Sequence, residues 1–262
     1  GGIFGSSVLA TANVMMAAVL AHGETIIECA ACEPEMEELG NFLSAMGAKI
    51  SGHGTPRIVI NGVRKLNGAH YRIGSDRIEA GTFLIMAAAA KSDILVEDVQ
   101  YSHLLALVDK LQHIGVDVKR DGNDVRIRCK KILKPANVAT HPHPGFPTDL
   151  QAQYMTLMAI TPGVSLVTDR VFPDRFMHIA ELNRMGAQIR RDSGSAIIEG
   201  VKQLYGAPVM ASDLRASAAL VIAGLVAKGK TEIHRIYHLD RGYEDLDQKL
   251  TQLGAKVFRE KE

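Results

Sequence analysis

Apolar residues recur at helical spacing in Met36, Leu39, Leu43 and Met46, and the run closes on Gly47 before a β-rich stretch. This pattern predicts an amphipathic helix ended by a C-cap glycine and followed by a strand. The phrase returns along the chain as Leu43–Ile50 (LSAMGAKI), Leu111–Val118 (LQHIGVDV), Leu182–Ile189 (LNRMGAQI) and Leu250–Val257 (LTQLGAKV). Its period is about 70 residues, the mark of internal repeats.

Upstream of each such helix stands a β-rich run after a small or Gly turn: GETIIECA, SDILVEDV, GVSLVTDR and GKTEIHRI. A first helix precedes each run, and a hairpin is expected downstream, most visibly where Gly62–Ala69 (GVRKLNGA) matches Gly200–Ala207 (GVKQLYGA). The predicted unit is helix, strand, helix, strand and hairpin strand, an α/β architecture. Later copies open at an aspartate, Asp76, Asp149 and Asp213, each placed to cap the helix that follows. Before Asp149 runs His141–Gln153, HPHPGFPTDLQAQ, whose three prolines forbid helix. They predict an extended arm that delivers Asp149 to a helix starting at Leu150. The fourth copy reaches Lys261 and Glu262 as its second strand begins, and further residues are expected upstream of Gly1, which is not a methionine.

The third copy departs from the pattern. Eleven residues before the C-cap glycine stand Met36, Leu104 and Tyr243, but here Arg175; eight before it stand Leu39, Leu107 and Leu246, but here His178. A repeat that gives up apolar sites in this way faces something polar. The plainer alternative for His178 is a satisfied, half-buried histidine. Arginines also gather at helix starts: Arg77 and Arg215 in first turns, Arg175 after Pro173-Asp174, and Arg241 opening the last helix. A cation there opposes the helix dipole by about 0.3–1 kcal/mol. Four such placements call for an external phosphate or carboxylate, the alternative being that each arginine pairs with its neighbouring aspartate on the surface.

Composition narrows the partners. Lys plus Arg (30) balances Asp plus Glu (29), so no broad basic face for nucleic acid or anionic membrane is expected. The apolar run Val8–Ala21 lacks a basic lead, is interrupted by Thr11 and Asn13, and is too short to span a bilayer. Hydrophobic content of 47% without Trp suits α/β packing better than a sandwich. Three cysteines, Cys29, Cys32 and Cys129, form no closed disulfide framework and point to a reducing cytoplasm. Cys29 and Cys32 have no second ligand pair, and His141 and His143 no third ligand, so no metal is expected and the two cysteines are assigned to packing.

EPEMEELGNFLSAMGAKISGHGT, SDRIEAGTF, HPGFPTDLQAQ, VFPDRFMHIAELNRMGA, SDLRASAALVIAG and IYHLDRGYEDL together resemble the enolpyruvyl transferases over essentially the whole chain, and within them the branch that acts on a sugar nucleotide. The resemblance implies two domains, each an inside-out α/β barrel of three repeats. Residues 1–74 would be the last repeat of the sugar-nucleotide-side domain and residues 75–262 the other domain. It implies transfer of the enolpyruvyl group of phosphoenolpyruvate to the 3-hydroxyl of UDP-N-acetylglucosamine with loss of phosphate, an early step of peptidoglycan synthesis, with no cofactor. Asp149 matches the catalytic carboxylate, Arg175 and Arg241 match arginines facing phosphoenolpyruvate, and Arg215 a supporting one. Ser7 and Val8 match the segment whose amides hold the diphosphate, although Leu9 stands where Gly is frequent, and Val171 matches a residue lining the sugar site. The family's Lys-Asn pair and acid loop belong upstream of Gly1, so the resemblance implies that the chain alone is inactive and that an upstream segment completes the site. The alternative is a catalytically silent sugar-nucleotide-binding or scaffold module of the same fold.

Overall fold

The computed structural model describes residues 6–260 and divides into two compact units. Unit 1 takes the described residues up to Ser75 together with Ala139–Thr148 and Arg170–Phe172; unit 2 takes Asp76–Val138, Asp149–Asp169 and the described residues from Pro173 onward. Each unit is thus discontinuous in sequence. Lys261 and Glu262, where the fourth copy's second strand was expected to continue, lie outside the described residues.

Unit 1 holds one copy of the repeat: helix Val8–Ala18, strand Glu24–Glu28, helix Pro34–Ala45, and strands Lys49–Ser51 and Arg57–Asn61. The last strand lies between the other two, antiparallel to both. Met15, Val19, Met36, Leu43, Ile58 and Ile60 form its core. These are the helical and alternating positions that the pattern marks, now closing on one another.

Unit 2 repeats the order. Strand Asp124–Arg128 lies between Asp93–Val96 and Asp117–Asp121, and strand Ser195–Glu199 between Val164–Thr168 and Gln188–Asp192. In the fourth copy Glu232–His234 pairs in parallel with Pro208–Met210 across the helix Leu214–Val226. The first helices of these copies, Arg77–Ala89, Gln151–Ala159 and Leu214–Val226, pack on one another in the middle. Every residue of Gln151–Ala159 is buried. A helix buried on every side lies in an interior, its few polar side chains included, so the helices are central and the strands outside, the inverse of an ordinary α/β barrel.

The repeat glycines Gly47, Gly115, Gly186 and Gly254 all have φ between +92° and +105°, as a left-handed helix ending requires. The hairpin, however, closes before Gly62 and Gly200, and the matched stretches that follow are irregular. Their glycines answer to a close approach instead. A Cβ on Gly62 would stand 1.6 Å from the Ala21 carbonyl oxygen, and one on Gly200 1.7 Å from that of Thr161. Both glycines donate their amide at 2.9 Å, to Gly23 and Gly163 respectively. The chain there crosses the end of the first helix, backbone against backbone, and no side chain fits. Ala255–Glu260 also forms no strand, since a strand exists only as part of a ladder and no described segment pairs with it.

The proline-rich stretch is a closed turn rather than an extended arm. Thr140 bridges Phe146, the His141 amide donates to the Phe146 carbonyl at 3.0 Å, and Gly145 donates to Pro142 at 2.9 Å. Prolines that forbid helix also suit tight turns, and here the turn prevailed. Among the described residues no helix is long and apolar enough to cross a membrane.

Candidate active site around Asp149

Asp76 and Asp213 cap their helices as expected. The Asp76 carboxylate accepts from the amides of Ile78 (2.7 Å) and Glu79 (3.0 Å), and that of Asp213 from Arg215 (2.7 Å) and Ala216 (2.8 Å). Asp149, at the corresponding place, does not. A 3-10 turn, Thr148–Leu150, intervenes, the helix begins at Gln151, and its N-cap Leu150 makes no side-chain bond. The capping expectation for Asp149 is therefore corrected: with the extra turn in between, its carboxylate caps no helix amide.

This carboxylate meets two arginines of unit 2. Arg175 Nη1 donates to Oδ1 at 2.6 Å, and Arg215 Nη2 stands 3.5 Å from Oδ2. Burial by itself would raise the Asp149 pKa, but the charges of Arg175, Arg215 and Arg77 outweigh it and hold the carboxyl below its ordinary value. Asp149 is ionised at neutral pH. The arginines do not pair with their sequence neighbours, which decides against simple surface pairing. Asp174, next to Arg175, bonds Arg191 at 2.6 Å, and the Asp213 carboxylate is spent on helix amides.

Arg215 is the most enclosed of the group, its side chain 12% exposed. Its guanidinium lies 5.5 Å from the centre of the Tyr243 ring, while Nε and Nη1 are buried with no hydrogen-bond partner among the described residues. Buried cationic donors left unspent are costly unless a ligand meets them. Beneath this pair, the Tyr243 hydroxyl lies 3.0 Å from Thr82 Oγ1 and 3.2 Å from Gln153 Nε2, and Gln153 Nε2 donates to the Asp149 carbonyl at 2.9 Å. These supports were missed in the sequence. In the sequence Tyr243 stands at the repeat position of Met36 and Leu104 and reads as one more core residue.

Arg241 does not open a helix: it ends the 3-10 helix Ile236–Arg241, because Asp245 adopts a left-handed conformation and the α-helix begins only at Leu246. Arg241 is exposed and pairs with no described residue. In unit 1, Ser7 caps helix Val8–Ala18, its Oγ accepting from the Ala10 amide at 3.3 Å, so Val8 stands at a helix N-terminus. Val171 is half-buried, in a segment whose preceding amide, Arg170, donates to Thr140 Oγ1 at 3.0 Å.

His178 is fully buried rather than half-buried, with Nε2 3.2 Å from Met155 Sδ, so it fills the core place that leucine fills in the other copies. Burial drives its pKa down to about 4, and it is neutral at pH 7. Cys29 is exposed, in a left-handed turn at the end of its strand, and so is not a packing residue; Cys129 is buried. Among the described residues no three His, Cys, Asp or Glu side chains gather to hold a metal ion.

The model of the family EPSP synthase (3-phosphoshikimate 1-carboxyvinyltransferase) matches residues 3–250. Among curated relatives, UDP-N-acetylglucosamine 1-carboxyvinyltransferase 2 of Carboxydothermus hydrogenoformans is 56% identical over 255 residues, 97% of this chain and 61% of the relative. UDP-N-acetylglucosamine 1-carboxyvinyltransferase of Akkermansia muciniphila is 54% identical over 260 residues, 98% of this chain and 61% of that protein. The chain thus spans about three fifths of the length of the curated relatives it matches. Among solved structures, the enolpyruvyl transferase NikO from Streptomyces tendae superimposes with a TM-score of 0.86 at 25% identity, over 95% of this chain and 60% of that one. EPSP synthase from Acinetobacter baumannii gives 0.71 at 20% identity, over 94% of this chain and 60% of that one, a likeness of fold. With its helix-centred repeats and a family match running almost from end to end, the chain belongs to the EPSP synthase family of enolpyruvyl transferases.

Proposed function

We propose that the chain carries the Asp149 side of a site that transfers the enolpyruvyl group of phosphoenolpyruvate to the 3-hydroxyl of UDP-N-acetylglucosamine, releasing phosphate in an early step of peptidoglycan synthesis in the cytoplasm. The observation that carries this is one ionised carboxylate held by Arg175 and Arg215 at a helix start, with Arg77 adding charge. The named relatives favour the sugar nucleotide as acceptor.

The chemistry follows from competition for the arginines. Phosphoenolpyruvate brings a phosphate and a carboxylate, which together offer the guanidinium groups more negative charge and more acceptors than a single aspartate. As Arg175 and Arg215 turn toward it, the half-buried Asp149 loses counter-charge, and its basicity rises when a proton has to be taken. The sugar O3 then bonds to C2 of phosphoenolpyruvate, its proton passes to Asp149, and C3 takes a proton from an acid. In the second half C3 gives a proton back, the C2–O bond to phosphate breaks and the enol ether forms. Arg241, exposed at the end of its turn, is assigned to phosphoenolpyruvate. Ser7 and Val8 are assigned to the diphosphate, where helix amides favour an anion, and Val171 to the sugar.

Residues 1–74 are proposed as the last repeat of the sugar-nucleotide-side domain and residues 75–262 as the other domain. The acid for C3 is placed in the part of the longer relatives that this chain does not match, so that an upstream segment completes the site.

Within an enzyme of the relatives' length, Asp149→Asn is expected to lower phosphate release from the two substrates by about 100-fold or more, while sugar-nucleotide binding weakens much less. Unchanged turnover would remove Asp149 from the mechanism, and no release by the unsubstituted enzyme would favour a silent module.

A further inference from the structure

The strongest unabsorbed feature is a polar knot in the middle of unit 2, where apolar residues would be expected. Thr82, Gln153 and Tyr243 come from three different copies of the repeat, and all three are buried. Tyr243 occupies the place that Met36 and Leu104 fill in other copies, both of them buried as well. A core of helices packs more simply with an apolar residue there, since each buried polar atom must find a partner.

The partners fix the direction of the bonds. Thr82 Oγ1 lies 2.8 Å from the Ile78 carbonyl and gives its hydrogen to it. It therefore accepts from the Tyr243 hydroxyl at 3.0 Å. Gln153 Nε2 approaches that hydroxyl at 3.2 Å and the Asp149 carbonyl at 2.9 Å, so one amide group ties the phenol to the backbone of the proposed base. The Tyr243 ring, anchored by its hydroxyl, then lies beside the Arg215 guanidinium, its centre 5.5 Å from the guanidinium carbon, and the same guanidinium stands 3.5 Å from Asp149.

We propose that Tyr243, tethered by Thr82 and Gln153, is a positioning residue that holds Arg215 against Asp149. It touches no reacting atom and acts through Arg215, whose placement at the start of helix Leu214–Val226 is otherwise opposed by the helix dipole. The aromatic face offsets that opposition, and the buried hydroxyl keeps the face from turning away. The proposal rests on the assignment of Asp149 and Arg215 to the reacting centre, but the placement can be tested without substrate.

The test is the titration of the Asp149 carboxyl, followed by carbon-detected NMR on the full chain and on Tyr243→Phe and Tyr243→Leu. The charges acting on that carboxyl are Arg175, Arg215 and Arg77. If Tyr243 holds Arg215 in place, the midpoint rises by about half a pH unit or more in Tyr243→Leu, and rises also in Tyr243→Phe, which keeps the ring but loses the tether. Both variants fill the core site, so a purely structural role would leave the midpoint where it is. Folded variants with an unmoved midpoint overturn the proposal; should the leucine variant fail to fold, the phenylalanine variant decides alone. In an enzyme of the relatives' length, Tyr243→Phe is further expected to lower kcat several-fold more than it raises the KM for the sugar nucleotide. A failure of the functional assignment would show as no phosphate release by the unsubstituted enzyme, and the titration result would stand apart from it.

Discussion

His178 shows how far a single residue can depart from its repeat and still serve the core. It replaces Leu39, Leu107 and Leu246 of the other copies, is buried, and is held neutral with its pKa near 4 by burial, against the pull of Asp213 and Asp169. A histidine in the unfolded chain titrates near 6.5. Between these values the unfolded chain binds the additional proton, so stability is complete above about 6.5 and falls as the pH drops toward 4. The gap is worth roughly 3 kcal/mol. His178→Leu, the residue of the other copies, is expected to flatten urea-unfolding stability across that window, and an unchanged slope would locate the acid sensitivity elsewhere. Asp149 acts in the same sense lower down: its depressed pKa adds stability above the ordinary carboxylate value that is lost in stronger acid.

Helix starts separate structure from function at the level of the element. Asp76 and Asp213 each satisfy two helix amides, whereas Asp149 satisfies none because a 3-10 turn precedes its helix. Asp76→Ala and Asp213→Ala should each cost about 1 kcal/mol, as lost caps do, read as a lower denaturation midpoint with an unchanged denaturant slope. Asp149→Asn gives up no cap, so its cost is expected in turnover. Asparagine caps helices as well as aspartate does, so any stability loss in Asp149→Asn would report the lost ion pairs with Arg175 and Arg215, and an equal loss in Asp149→Ala would confirm that no cap is at stake. The same three sequence positions thus carry two kinds of aspartate, and a local pattern has no means to tell them apart. Capping and ion pairing both ask for a carboxylate before a helix; what differs is one turn of backbone and where the arginines come to rest.

At the scale of the molecule, unit 2 is built around helix Gln151–Ala159, buried at every residue, with Arg77–Ala89 and Leu214–Val226 packed beside it. Amide exchange should be slowest there and fastest over residues 256–260, which join no ladder. Comparable protection in both places would contradict a helix-centred core. Much of this architecture is legible in the sequence because it is periodic: the repeat, the left-handed glycines that end its helices, two of the three aspartate caps, and the family all follow from local spacing and recurring phrases. The strands too are legible where a partner lies nearby in the chain. What spacing does not encode is which side chains meet across the repeats. Only the tertiary structure turned the proline-rich approach into a closed turn, released Asp149 from capping, and brought Arg175 and Arg215 to it while leaving Arg241 exposed. It also buried Thr82, Gln153 and Tyr243 in one hydrogen-bonded knot. These outcomes depend on distances between residues far apart in the chain, set by how three helices pack, and packing is a property of the folded whole.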